Sequence, residues 1–224
     1  MPMDIVMITA SPRIPSQSNT IKIAEEFRLG LIHAGASVQT YCLADRMQWD
    51  AARDAFFRGN CIVMALPLYN GMVPGTMMEF LEKLSADTPS LEEEGTRRKL
   101  AFILHSGFPE ACQRRCCERY LETFSKILGC RFSGVLSHGN TFNVQFSTSP
   151  KGAAPLSYEM MGQMFVESGG NFFFEEAVQF TGPEYITEKD AKIYNRIFRF
   201  FCEHTAQAHE CKESLFYQPY STKQ

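Results

Sequence analysis

Two short runs of the chain are apolar almost throughout. CIVMAL occupies residues 61–66, and LAFILH, residues 100–105, breaks the pattern only at its final histidine. A strand takes such a run when both faces of its sheet are covered, as in parallel sheets flanked by helices. Strands of antiparallel sheets with one face in water alternate apolar and polar residues instead. The two runs therefore predict central strands of a parallel α/β sheet.

The segments around these runs alternate between strand and helix patterns. The strand patterns cover residues 3–9, 37–42 and 131–136. The helix patterns cover residues 19–34, 50–58, the residues after Pro74-Gly75, and 110–128. Five strands that alternate with helices predict one doubly wound parallel sheet with helices on both faces.

The later part of the chain does not follow this alternation. Residues 139–185 contain glycine, proline, serine and the methionine-rich SYEMMGQMF, which predicts an excursion of loops and helices. Residues 187–206 have the period of a final helix with a wide apolar face, and the charged run 91–99 predicts a solvated loop. We find no repeat and no linker, so we expect residues 1–224 to form a single domain.

Charge and hydropathy exclude some classes of partner. The 224-residue chain has a formal net charge of −3 with both signs interspersed, so nothing attracts it to nucleic acid or an anionic membrane. No apolar run approaches the roughly 20 residues of a membrane span, and the opening MPMDIVMI lacks the basic leader of a signal peptide. We expect a cytoplasmic protein that binds neither nucleic acid nor membrane.

The eight cysteines do not predict a metal site. Cys112, Cys116 and Cys117 form C-x3-C-C, but Cys117 falls on the same helical stripe as Leu121 and Leu128. No C-x2-C pair occurs in the chain, whereas such pairs are typical of zinc and iron–sulfur sites. We therefore expect free thiols and no metal.

The loop after the first strand is rich in hydrogen-bond donors. Its polar residues are Ser11, Arg13, Ser16, Ser18, Asn19 and Thr20. A helix N-terminus with hydroxyls and an arginine can bind a phosphate, although Ser18 or Asn19 could instead only cap the helix. The glycine patterns of triphosphate and dinucleotide sites are absent, which favours the single phosphate of a mononucleotide.

Two further loops follow the apolar strands. PLYNGMVPG, residues 67–75, has turn residues around Tyr69, which could border a flat ring or belong to the core. HSGFPE, residues 105–110, could close the other side of such a ring. Ligands of open parallel sheets bind at the carboxyl ends of the strands, where these loops meet. The Gly-x-Ser-x-Gly pattern of serine hydrolases is absent.

These motifs resemble those of the flavodoxin-like NAD(P)H-dependent FMN reductase family. The resemblance lies in S-x-R-x4-S-N-T after the first strand and P-x-Y-x4-P-G-x4-F-L-E after the third. It implies a flavodoxin-like sheet of order 2-1-3-4-5. It implies that the FMN phosphate binds to Ser11, Arg13, Ser18, Asn19 and Thr20. It implies that the flavin ring lies against Pro67, Leu68, Tyr69, Asn70 and Gly71, with Ser106 and Gly107 behind it.

The resemblance also implies an activity. A hydride passes from NADH or NADPH to FMN, and the electrons then pass to a small acceptor such as a quinone, a nitro- or azo-arene, free flavin or a ferric complex. No side chain need act as an acid or base, so we nominate no catalytic residue. The chain has Ala10 and Met78 where the family often has glycine and lysine.

Two alternatives remain: a flavodoxin-type electron carrier without its own turnover of pyridine nucleotide, and a flavin-free domain on the same fold. The near-neutral charge argues against the carrier, and the donor-rich loop argues against the flavin-free domain. The apolar faces of the final helix and of the excursion further predict a homodimer. In that dimer we expect residues 139–180 of one subunit to help cover the flavin site of its partner.

Overall fold

The computed structural model describes residues 2–87, 98–146 and 157–213. The expected solvated loop at 91–99 lies outside the described residues except for its last two, of which Lys99 begins a strand. The chain divides after Glu184 into two compact units. The first unit contains the sheet, and the second contains the final helix.

Five parallel strands of the described residues form one sheet of order β2-β1-β3-β4-β5. The strands are β1 (Asp4–Thr9), β2 (Ser37–Cys42), β3 (Cys61–Pro67), β4 (Lys99–His105) and β5 (Arg131–His138). This order confirms the predicted flavodoxin-like fold. β5 extends beyond the expected end at residue 136, and a bulge shifts its register between Leu100 and Phe102. Gly134, with φ of 94°, lies in this bulge, where one strand has an extra residue.

Seven α-helices are seen in the described residues. They are α1 (Asn19–His33), α2 (Trp49–Arg58), α3 (Gly75–Ala86), α4 (Arg115–Ile127), α5 (Tyr158–Glu167), α6 (Glu175–Phe180) and α7 (Glu188–Ala208). α4 starts later than the predicted residue 110 because Ala111–Gln113 forms a separate 3-10 turn. Short 3-10 turns are common before α-helices, and they interrupt the helical period that a sequence pattern relies on.

Both faces of the sheet are covered, as the apolar runs predict. In β3 the side chains of Ile62, Met64 and Leu66 pack on the face covered by α2, α3 and α4. Val63 and Ala65 point to the opposite face, which α1, α5 and α6 cover. All seven residues of β3 are buried. The chain thus needs apolar residues at every position of this strand, because no face of it meets water.

The excursion after β5 folds onto α1 of the same chain. Gly162 of α5 lies so close to α1 that a Cβ atom there would be 2.3 Å from the Phe27 carbonyl oxygen. Met161, Phe165 and Phe172 are fully or almost fully buried in this contact. The sequence pattern predicts that the excursion adds apolar surface to a dimer interface. For these three residues that expectation is wrong, since α1 already covers them, whereas Met160 and Phe173 are 44 and 65% exposed.

The second unit contains the helix α7. Thr187 caps α7, and its hydroxyl accepts a hydrogen bond from the Asp190 N–H at 3.2 Å. The apolar face predicted for residues 187–206 is present but substantially exposed: Ile193, Ile197, Phe198 and Phe200 are between 44 and 62% exposed. Among the described residues no helix is both long and apolar enough to cross a membrane.

Candidate functional site

A cleft of about 160 Å³ lies at the carboxyl edge of the sheet. Its walls come from the segments that follow β1, β3, β4 and β5. The residues that line it are Ser11, Arg13, Asn19, Thr20, Pro67, Leu68, Tyr69, His105, Ser106, Gly107, Thr141 and Phe142. Of the predicted site residues, Ser18, Asn70 and Gly71 do not line it.

The start of α1 leaves two backbone donors at this cleft. Ser18 is buried, and its hydroxyl accepts a hydrogen bond from the Ile21 N–H at 3.3 Å, which caps the helix. Among the described residues no protein group accepts from the N–H groups of Asn19 and Thr20. The first N–H groups of a helix lack intrahelical partners and carry the positive end of the helix dipole. This end of the cleft therefore suits an anion, with the exposed Arg13 beside it.

Asn19 presents an unusual acceptor at the same place. Its Nδ2 donates to the Thr141 carbonyl at 3.1 Å, while its Oδ1 is buried and has no hydrogen-bond partner among the described residues. An unsatisfied buried acceptor costs about 1–3 kcal/mol. A ligand with hydroxyl groups next to its phosphate would satisfy it, and the ribityl chain of FMN has such hydroxyls. The residues present therefore fit this cofactor.

The loop after β3 is shaped by a tight turn. Tyr69 and Met72 exchange two backbone hydrogen bonds of 2.9 and 3.0 Å around Asn70 and Gly71. Both turn residues have positive φ, 50° and 82°, which is the signature of a two-residue type I′ hairpin. Asn70 and Gly71 thus form the tip of the turn, and Tyr69, 39% exposed, is left on the rim of the cleft.

A buried arginine holds the loop after β4, which forms one wall of the cleft. Arg114 is completely buried and donates to the Ser106 hydroxyl at 3.1 Å, the Ser137 hydroxyl at 2.9 Å and the Thr181 carbonyl at 2.7 Å. Burial lowers the pKa of this guanidinium. The Ser106 hydroxyl in turn donates to the Phe108 carbonyl at 2.8 Å. Ser106 therefore serves mainly to fix the loop, and Gly107 is left open at the cleft.

Sequence reasoning missed Thr141, Phe142 and the supporting Arg114. Thr141 and Phe142 follow β5, whose carboxyl end lies at the same edge of the sheet as the other strand ends. The rule that ligands bind at the carboxyl ends of parallel strands could have indicated them, but the loop after β5 contains no recognisable binding motif. Arg114 was hidden because QRRC reads as the polar face of a helix.

Metal ligands are not grouped in the described parts of the chain. Those residues contain no cluster of three or more His, Cys, Asp or Glu that could hold an ion. All eight cysteines are free, and burial raises the pKa of the Cys117 thiol to about 12. Cys117 lies within α4 and packs in the core with Leu121 and Leu128, as its helical stripe predicts.

The fold and the cleft define a flavodoxin-like protein, and comparison with known proteins agrees. An FMN-dependent NADH-azoreductase from Bacillus anthracis str. Ames Ancestor, solved in complex with FMN, superposes with a TM-score of 0.55. It is 14% identical and covers 75% of this chain and 100% of its own. An NAD(P)H:quinone oxidoreductase from Methanothermobacter marburgensis has a TM-score of 0.58 at 12% identity, covering 78% and 100%. The search of curated proteins found no match.

Sequence similarity shows the family to which this chain belongs. The model of the NADPH-dependent FMN reductase family matches residues 3–135, more than half of the chain. The chain therefore belongs to this family. Membership confirms the predicted enzyme class, an NAD(P)H-dependent FMN oxidoreductase, and the predicted cofactor, FMN with NAD(P)H as the electron donor.

Proposed function

We propose that the cleft holds FMN with its phosphate at the start of α1 and its ring beside Tyr69. The observation that carries this proposal is the convergence of Arg13, the N–H groups of Asn19 and Thr20, and an aromatic rim in one cleft. The cleft volume of about 160 Å³ is below the roughly 300–1,000 Å³ of most ligand pockets, so part of the cofactor would lie on the open rim.

When bound, FMN supplies the atoms that accept a hydride from NAD(P)H and release electrons to an acceptor. The protein contributes binding and orientation. Arg13 and the helix N-terminus offset the phosphate charge, while Ser18 caps the helix that presents those donors. Pro67 and Leu68 contribute apolar lining to the same cleft. No residue of the cleft is needed as an acid or base.

Purified protein tests this assignment directly. Heat release and chromatography should recover FMN, and addition of NADH or NADPH without oxygen should bleach the visible flavin absorbance. Recovery of FAD would reject the mononucleotide site. A bound FMN that dithionite bleaches but NAD(P)H does not would instead indicate an electron carrier of the flavodoxin type.

For the electron acceptor we propose a small planar conjugated compound, such as a quinone or an azo-arene. Tyr69 and Phe108, which are 39 and 57% exposed, lie on the loops after β3 and β4 and offer flat apolar surface. The two similar structures above are described as an azoreductase and a quinone oxidoreductase. This agreement supports the proposal.

The acceptor is identified by comparing turnover with a quinone, an azo dye and a ferric chelate at equal NAD(P)H. Tyr69→Ala should raise the KM for the planar acceptors several-fold and leave that for the ferric chelate unchanged. Preference of the wild-type protein for the ferric chelate would contradict the proposal.

We further propose a homodimer, because a second copy of the chain would cover the exposed apolar residues of α7. Light scattering at micromolar concentration should give twice the chain mass of 25.4 kDa. The double variant Ile197→Glu, Phe200→Glu should give a single chain mass.

We also propose a cytoplasmic location, since eight free cysteines suit a reducing compartment.

A further inference from the structure

A chain of hydrogen bonds connects the cleft to the protein interior. The Thr20 hydroxyl is 2.8 Å from His105 Nε2, and His105 Nδ1 is 2.9 Å from the Thr141 hydroxyl. The Thr141 hydroxyl lies 2.9 Å from the Ser106 carbonyl oxygen. Thr20, His105 and Thr141 are all buried, yet all three line the cleft. The series of hydrogen bonds therefore begins at the Thr20 hydroxyl, which borders the cleft, and ends at the Ser106 carbonyl oxygen.

The protons along these hydrogen bonds can be arranged in two self-consistent ways. In the inward arrangement Thr20 donates to Nε2, Nδ1–H donates to Thr141, and Thr141 donates to the Ser106 carbonyl. In the outward arrangement Thr141 donates to Nδ1, Nε2–H donates to Thr20, and the Thr20 hydroxyl donates into the cleft. A neutral imidazole has one donor and one acceptor nitrogen, so its tautomer decides which arrangement is present.

Only the outward arrangement offers a proton to an anion. In the inward arrangement the Thr20 hydroxyl proton is used by His105, and Thr20 turns only lone pairs toward the cleft. An anion would be repelled by those lone pairs. In the outward arrangement the Ser106 carbonyl loses the Thr141 hydroxyl but keeps the Thr141 N–H at 3.0 Å, so no buried carbonyl is orphaned.

We propose that His105 is a positioning residue whose tautomer switches from Nδ1–H to Nε2–H when a phosphate monoester binds, which turns the Thr20 hydroxyl into a phosphate donor. This inference rests on the proposed binding of FMN. It explains why a histidine stands between two threonines behind the phosphate end of the cleft.

The surroundings of His105 keep the ring neutral, as a tautomer switch requires. Burial, with a smaller contribution from His138, lowers the pKa of His105 to about 3. His138 is itself buried and lies 2.7 Å from the Tyr158 hydroxyl through Nδ1. Burial, with a smaller contribution from the charge of Arg114, lowers the pKa of His138 to about 4, so neither ring carries charge near neutral pH. An imidazolium would donate at both nitrogens and could not switch.

Nitrogen NMR of the full-length protein tests the switch, because protonated and unprotonated ring nitrogens have well separated shifts. The histidine-labelled protein is stripped of flavin in a phosphate-free buffer and compared with samples saturated with riboflavin or FMN. The His105 signals are assigned by their loss in His105→Gln. We expect Nδ1–H in the flavin-free and riboflavin samples, and Nε2–H with FMN.

The outcomes separate the two proposals. If FMN binds and the His105 tautomer is the same in all three samples, the switch is wrong while the proposed function stands. If FMN does not bind, both are wrong. A change that riboflavin also produces would refute the dependence on phosphate.

Two isosteric variants add an independent check. Thr141→Val keeps both backbone hydrogen bonds of residue 141 but removes the acceptor for Nδ1–H, so we expect Nε2–H even without flavin. Thr20→Val removes the proposed phosphate donor and should weaken FMN binding about ten- to a hundredfold, with riboflavin binding unchanged. Equal losses for FMN and riboflavin would indicate a packing role alone and overturn the proposal. The wild-type spectra decide the matter if either variant fails to fold.

Discussion

Mild acid should destabilise this protein through two buried histidines. The loss begins at a pH well above the range in which carboxylates titrate. Burial lowers the pKa of His105 to about 3 and that of His138 to about 4, whereas an exposed histidine has a pKa of about 6.5. Below pH 6.5 the unfolded chain therefore binds protons that the folded chain excludes. The stability that these neutral rings contribute is present above pH 6.5 and is lost as the pH falls toward their folded values.

The magnitude follows from the linkage relation. A pH of 5 is about 1.5 units below the pKa of an unfolded histidine, and each unit corresponds to about 1.36 kcal/mol. Each buried ring therefore lowers the free energy of unfolding by about 2 kcal/mol at this pH. The folded pKa values, about 3 and about 4, lie one unit or more below pH 5, so both folded rings are mostly neutral there and the figure depends little on their exact values. The free energy of unfolding should thus fall by about 4 kcal/mol between pH 8 and pH 5 through these two rings.

Urea unfolding at pH 8, 6.5 and 5, followed by circular dichroism, measures this loss. His105→Gln and His138→Gln should each be less stable than the wild type at pH 8, because their hydrogen bonds change. Each should nevertheless lose about 2 kcal/mol less than the wild type on going to pH 5. The reasoning is refuted if the pH dependence of both variants equals that of the wild type at an unchanged urea slope.

Three further predictions concern binding and packing. Arg13→Ala should weaken FMN binding about ten- to a hundredfold while riboflavin binding stays the same, as measured by fluorescence titration; equal binding would place Arg13 outside the phosphate site. Gly162→Ala should destabilise the protein by about 1–3 kcal/mol in urea unfolding, because the added Cβ would meet the Phe27 carbonyl at 2.3 Å; the matched change Gly75→Ala, where a Cβ has open space, should cost much less. Arg114→Lys should cost at least about 2 kcal/mol, since three ammonium protons cannot replace the guanidinium fork; full stability would show that the hydrogen bonds of Arg114 contribute little.

Local patterns were enough for the sheet and for the family. A strand covered on both faces needs apolar side chains at every position, so CIVMAL and LAFILH identify β3 and β4 without any knowledge of their neighbours. The loops after β1 and β3 are short continuous motifs, and both the donors that we propose for the phosphate and Tyr69 could be read from them. These features depend on residues close together in sequence.

Other features depend on segments far apart in sequence, and only the tertiary structure decided them. Ser18 turned out to cap α1, because its hydroxyl lies within reach of a backbone N–H and away from the cleft. His105 acquires its partners from α1 and from the segment after β5, at sequence separations of 85 and 36 residues. The side of the sheet on which the excursion packs was equally undetermined, since its apolar pattern suits α1 and a partner subunit alike. Burial decided between them: Phe165 and Met161 became core because Gly162 lets α5 approach α1 closely.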